Sequence, residues 1–172
     1  RAASRDCIAA SSRDSVTRRS HSPMSHKLSH QPRKTKVLFV CIGNMCRSPM
    51  AEGFAHKFGE DIIDVYSAGT NATGVVSEDS IELMRELKID ISKAVSNGLD
   101  AVPIGEMDIV VSMAPRRASA LVPPGFRGQT IDWKVEDPVG KSLVVFRRVR
   151  DQLQVLVKQL VNDIRRDREG AA

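Results

Sequence analysis

A chain of 172 residues has room for one domain with a substantial core and is short of two comfortable ones, so a single catalytic or binding site is the natural expectation. The net charge of +5 does not point to nucleic acid: nine of the 26 Lys and Arg lie in residues 1–36 beside two of the 21 acidic residues, which leaves a slightly acidic body, and aromatic residues for base stacking are only 4%. The longest apolar runs, VLFVCIG and IVVSMA, fall far short of the ~20 residues of a membrane span, and three cysteines without framework or C-x2-C zinc spacing fit a reducing cytoplasm.

Residues 1–35, rich in Ser, Arg and His with no sustained apolar period, read as a disordered basic tail. Met24, shortly before the first strand, is an alternative natural start that mass spectrometry of the amino terminus would decide. A folded domain is expected over residues 36–168. KVLFV (36–40) reads as a buried strand, SPMAEGFAHKF (48–58) as a helix with Pro49 in its first turn, and DIIDVYSAG (61–69) as a second strand. SEDSIELMRELKI (77–89) carries Ile81, Leu83, Met84 and Leu87 on one helical face. MDIVVSM (107–113) and QTIDW (129–133) are the third and fourth strands, and Phe146, Val149, Leu153, Leu156, Val157, Leu160 and Ile164 mark a long amphipathic helix. Strand and helix in alternation predict an α/β fold: a four-stranded parallel sheet with helices on both faces, binding its ligand beyond the carboxyl ends of the strands.

Cys41 stands at that end of the first strand, in CIGNMCRSP. A loop from strand to helix presents unpaired N–H groups, and the helix dipole adds positive potential, so such a loop binds oxyanions. Gly43 allows a tight turn, Asn44 tolerates left-handed dihedrals or locks the loop, and Arg47 offers a planar fork for two oxygens. A thiol in that field is a nucleophile aimed at the bound anion. The bland alternative, a small buried hydrophobe at a strand end, would not require Gly43, Asn44, Arg47 and Ser48 together. G-x-x-x-x-G-K-[ST] is absent, so this is not an ATPase loop. A proton donor is also needed: Asp137 sits in VEDPVG at a turn fixed by Pro138, with Glu136 as a second candidate. His56 reads as a solvated helix residue, and the other three histidines lie in the tail.

VLFVCIGNMCRSPMAEGF closely resembles the signature of the low-molecular-weight protein-tyrosine phosphatase family, and DVYSAGT (64–70) and Asp137-Pro138 follow in the family's order. The resemblance implies a cysteinyl-phosphate intermediate on Cys41, with the anion held by Arg47 and the loop residues Ile42, Gly43, Asn44, Met45, Cys46 and Ser48. It further implies that Ser48 bonds to the thiolate, that Asn44 orders the loop and that Asp137 is the general acid. Cys46 is a candidate redox partner of Cys41, and a packed thiol otherwise.

VYSAGTNATGV, ELKIDIS and DWKVEDPVGKSLVVFRRVRDQL resemble instead the arsenate reductase branch of the same superfamily. Phosphotyrosine enzymes place aromatic residues after the Asp-Pro pair, where this chain has Val139 and Gly140. Thioredoxin-linked reductases use two further cysteines after the third strand, where this chain has Met113 and no cysteine. The expected activity is therefore a phosphomonoesterase acting on a phosphorylated protein or a small phosphoester. The alternatives are arsenate reduction with Cys46 or an external thiol such as glutathione or mycothiol, and a non-catalytic phosphate-binding module. Neither a cofactor nor a metal is expected, and neither nucleic acid nor membrane as a partner.

Overall fold

The structure is a computed structural model that describes residues 33–170; the tail reading over residues 1–32 lies outside the described residues. Four strands, β1 (Thr35–Cys41), β2 (Ile63–Gly69), β3 (Ile109–Ser112) and β4 (Gln129–Asp132), form one parallel sheet in the order β2-β1-β3-β4. Three α-helices, α1 (Arg47–Gly59), α2 (Glu78–Arg85) and α3 (Leu143–Gly170), follow β1, β2 and β4, while β3 and β4 are joined without one. The central strands β1 and β3 are apolar at nearly every position because a parallel sheet is covered on both sides. Val37, Phe39 and Cys41 pack with Met50, Phe54, Met84, Val149 and Leu153 from the α-helices. Leu38, Val40 and Val110, one residue out of phase, face a smaller core closed by Leu99, Ile104, Ala118 and Phe126. Helices thus cover both faces, α-helices on one and single 3-10 turns at Leu99–Ala101, Ile104–Glu106 and Ala118–Ala120 on the other.

Helix α2 is capped by Ser77, whose Oγ accepts from the Ser80 N–H at 3.2 Å. Helix α3 continues past its last buried apolar residue, Ile164. Its extra turns are held by polar contacts, which hydrophobic spacing does not reveal: Arg165 pairs with Asp61, and Arg168 donates to the carbonyls of Ile62 and Arg33. Arg33 itself pairs with Asp108, so the packed part of the chain begins ahead of β1. Among the described residues no helix is long and apolar enough to cross a membrane.

Glu86 fastens α2 to α3 by accepting from Arg147 at 2.6 Å and from the buried Arg150 at 2.7 Å. These two hydrogen-bonded guanidinium groups lower its carboxyl to about 2. A carboxyl depressed in the folded state stabilises the fold above its unfolded value, near ~4.3, and loses that contribution as pH falls through about 2. Glu86→Gln should therefore lower the Tm at pH 7, with the difference from the parent shrinking as pH drops from about 5 toward 2. Thermal unfolding followed by circular dichroism across that range checks it; a pH-independent difference would mean that packing rather than charge is what the substitution removes.

Candidate active site

Between the end of β1 and the start of α1, residues 42–46 form an open turn. Its carbonyls face outward and are taken up by the segment after β2: Cys41 accepts from Thr70 N–H at 3.0 Å, Ile42 from Asn71 at 2.8 Å, Gly43 from Thr73 at 3.1 Å and Met45 from Ser77 at 2.9 Å. The N–H groups of residues 42–48 donate to no backbone or side-chain acceptor among the described residues. Backbone donors left over in this way, at the amino end of a helix, are what an oxyanion requires. The left-handed residue of the turn is Asn44, with φ of 46°, rather than Gly43. At Gly43 a Cβ would come within 3.3 Å of Thr73 Cγ2 and Met45 Cγ, a tight fit to which those side chains would have to yield by a few tenths of an ångström.

Asn44 is fully buried and ties the loop from inside. Its Oδ1 accepts from Asn97 N–H at 2.7 Å, which fixes the amide's orientation, and its Nδ2 donates to Ser48 Oγ and Ser67 Oγ, both at 2.9 Å. Each hydroxyl oxygen thus receives a hydrogen and has its own to give away. Ser67 spends its hydrogen on Glu52 Oε2 at 2.6 Å, and Ser48 Oγ stands 2.9 Å from Cys41 Sγ. The chain of bonds thus ends at a hydroxyl 2.9 Å from the Cys41 sulfur, with the Ala68 carbonyl as a longer alternative acceptor at 3.4 Å. Glu52, at its far end, has its carboxyl pushed up by burial. Sequence reasoning finds Asn44 and Ser48 but misses Ser67, Glu52 and Asn97, because three separate segments bring them to the loop.

Arg47 is buried at 4% exposure and crosses to the loops after β3 and β4. Nη1 donates to the carbonyls of Met113 at 2.8 Å and Val135 at 3.3 Å, and Nη2 donates to Asp137 Oδ2 at 2.5 Å. Of the five guanidinium N–H groups, this leaves Nε–H and one Nη2–H, the side-on fork, for an anion. Asp137 is turned inward by its own loop, Oδ1 accepting from Val139 N–H at 3.2 Å. Glu136 points away and pairs with Lys141 and Arg148, which hold its carboxyl below the usual range. That separates the two acid candidates in favour of Asp137. His56 is exposed on α1, as expected.

Cys41, Ile42, Gly43, Met45, Cys46, Arg47 and Asp137 line one cavity of about 180 Å³, to which Asn71, Thr73 and Val139 contribute the outer wall. Ser48 lies beneath, wholly buried. Cys46 is a free thiol bonded to Ser77 Oγ at 3.3 Å, and burial pushes it up, which disfavours its thiolate near neutrality.

Gly69, the last residue of β2, touches the back of the loop. A Cβ there would lie 2.6 Å from the Ile42 carbonyl oxygen and 2.8 Å from Asn44 N, both backbone atoms that cannot swing aside. Gly69→Ala should therefore lower kcat/KM at least roughly tenfold and destabilise the fold by about 1–3 kcal/mol, the usual cost of overpacking. Steady-state kinetics beside a melting curve would show both; unchanged kinetics would mean that the loop geometry tolerates displacement.

The family described as low molecular weight phosphotyrosine protein phosphatase matches residues 36–170. A protein named glutaredoxin arsenate reductase from Synechocystis is 40% identical over 131 residues, covering 75% of this chain and 98% of that one. An arsenate reductase of Bacillus cereus is 36% identical over 126 residues, covering 73% and 93%. Among solved structures, an arsenate reductase in the phosphate binding state superposes with a TM-score of 0.66 at 38% identity, covering 76% of this chain and 98% of that one. The YwlE arginine phosphatase from Geobacillus stearothermophilus superposes with a TM-score of 0.72 at 25% identity, covering 80% and 97%. With Cys41, the donor-rich loop and Arg47 gathered at one cavity, and the family match running over residues 36–170, the chain belongs to the low molecular weight phosphotyrosine protein phosphatase family.

Proposed function

We propose that this enzyme reduces arsenate to arsenite through Cys41, with an external thiol as electron donor. The observation that carries the reading is the shape of the site. The residue after Asp137-Pro138 is Val139, 52% exposed, and no aromatic ring lines the cavity of about 180 Å³. Such a space suits a bare tetrahedral oxyanion and has no ring of its own to sandwich an aryl ester. The names of the relatives at 36–40% identity support the same choice over ester hydrolysis.

In this mechanism arsenate sits on the N–H groups of residues 42–48 and the Arg47 fork, and Cys41 Sγ attacks arsenic. An S–As bond forms and one oxygen leaves as water, its proton delivered through Asp137, the carboxyl group that lines the same cavity. A thiolate then attacks Cys41 Sγ, an S–S bond forms, and the S–As electron pair passes to arsenic, which leaves as arsenite. A second thiol releases Cys41 from the mixed disulfide. Arsenate and two thiols thus give arsenite, one disulfide and water.

Phosphomonoester hydrolysis is the second reading, favoured by the same Cys41 and Asp137 pair and by the fit to an arginine phosphatase. Both are tested by one paired assay: arsenite formed with glutathione, mycothiol or a thioredoxin system, beside p-nitrophenol released from its phosphate at mildly acidic pH. Arsenite turnover well above ester turnover is expected; rapid ester hydrolysis with no arsenite from any thiol would overturn the reductase reading.

A further inference from the structure

A second, larger cavity of about 620 Å³ adjoins the one that holds Cys41, the two sharing Ile42, Arg47 and Asp137 as walls. Its other sides come from the loops after β3 and β4, where Met113, Pro115 and Trp133 give apolar surface and Arg117 and Lys134 supply two cations. The acidic groups there are already engaged: Asp132 accepts from Ala118 N–H at 2.7 Å, and Asp137 pairs with Arg47. The side chains of Arg117 and Lys134, by contrast, have no hydrogen-bond or ion-pair partner among the described residues. Trp133 is a firm wall, its ring centroid 5.6 Å from that of Phe39 in the core. Two uncommitted positive charges over an apolar floor suit an organic anion.

Arsenate reduction requires such a molecule beside the anion. Among the described residues the cysteines are Cys41 and Cys46, and the Cys46 thiol is buried and bonded to Ser77. Resting on the arsenate reductase reading, we infer that the 620 Å³ cavity is the site of the second substrate, a low-molecular-weight thiol bearing carboxylates, which Arg117 and Lys134 hold against Trp133. Its sulfur passes over Ile42 and the Arg47–Asp137 pair to reach the Cys41–arsenic adduct, forms the S–S bond with Cys41 as arsenite departs, and gives way to a second molecule of the same thiol.

Trp133 is the single tryptophan of the sequence, so its emission reports on this cavity without turnover. Titration with S-methylglutathione, which cannot be oxidised to a disulfide, should change that emission saturably. Arg117→Gln with Lys134→Gln should raise the dissociation constant roughly tenfold, as loss of charge-assisted contacts at a partly exposed site does. In turnover the same pair should raise KM for glutathione by a similar factor, leave KM for arsenate unchanged, and leave turnover driven by cysteamine, which has no carboxylate, unaffected. Absence of a saturable Trp133 signal, equal loss with glutathione and cysteamine, or better turnover with the uncharged mycothiol than with glutathione would each overturn the inference. Saturable binding weakened by the substitutions, in a protein that makes no arsenite with any thiol, would support the anion site and overturn the reductase reading alone.

Discussion

A Cys41→Ser protein should fold as the parent does and form no arsenite above the uncatalysed background, whichever thiol is supplied. The loss is expected to be complete because the sulfur does two things. In the proposed reaction it attacks arsenic, and it then becomes half of a disulfide, giving up the electrons that reduce As(V). A hydroxyl oxygen is a poorer nucleophile and cannot perform the second step at all. Stability should be spared, since the side chain is 2% exposed and its polar neighbour, Ser48 Oγ at 2.9 Å, hydrogen-bonds to oxygen as readily as to sulfur. Arsenite measured by chromatography with elemental detection, beside a melting curve of each protein, tests both halves. Arsenite formation that survives the substitution would move the redox step away from Cys41 and leave the loop only an anion-binding role.

The candidate site is readable from the chain because it is local. Cys41, Gly43, Asn44, Arg47 and Ser48 fall within eight residues, flanked by an apolar strand and a Ser-Pro helix start, and the unpaired N–H groups follow from that order alone. Asp137 is readable for a different reason, since the following proline fixes it at a turn. Contacts that depend on register across the sheet are not visible in this way. Gly69 stands opposite Cys41 because β2 pairs with β1 along its whole length, and only then does its missing side chain become a requirement of the loop. Ser67, two residues earlier, reads as an ordinary polar strand position until Asn44 and Glu52 are seen on either side of it. The strand and helix order is legible from apolar runs, helical spacing and the Ser-Pro start, although α2 stops at Arg85 short of the expected 89, with Lys88 left-handed at φ of 57°; the covering of the second sheet face by 3-10 turns is not legible, since three-residue elements carry no period. The larger cavity escapes sequence reading altogether, because Arg117 and Lys134 are ordinary exposed cations until the two loops bring them to one wall.

Arg47→Lys should lower kcat/KM for arsenate by about two to three orders of magnitude, the scale on which removal of a preorganised oxyanion donor is felt. The guanidinium has two tasks that an ammonium cannot combine. Its outer N–H groups strap the site to the carbonyls of Met113 and Val135 and to Asp137, while Nε–H and the remaining Nη2–H are left as the flat fork proposed to hold the anion. Lysine keeps the charge but has three donors around one atom, so it can satisfy the strap or meet the anion and not both. A carbonyl left without a donor in this buried position costs about 1–3 kcal/mol, so a fall in Tm should accompany the kinetic loss. Phosphate, which mimics arsenate in charge and shape, separates the two tasks: its competitive inhibition constant should rise together with the loss of turnover. A lower Tm with unchanged phosphate inhibition would assign Arg47 to the strap alone, and the N–H groups of residues 42–48 would then carry the anion without it.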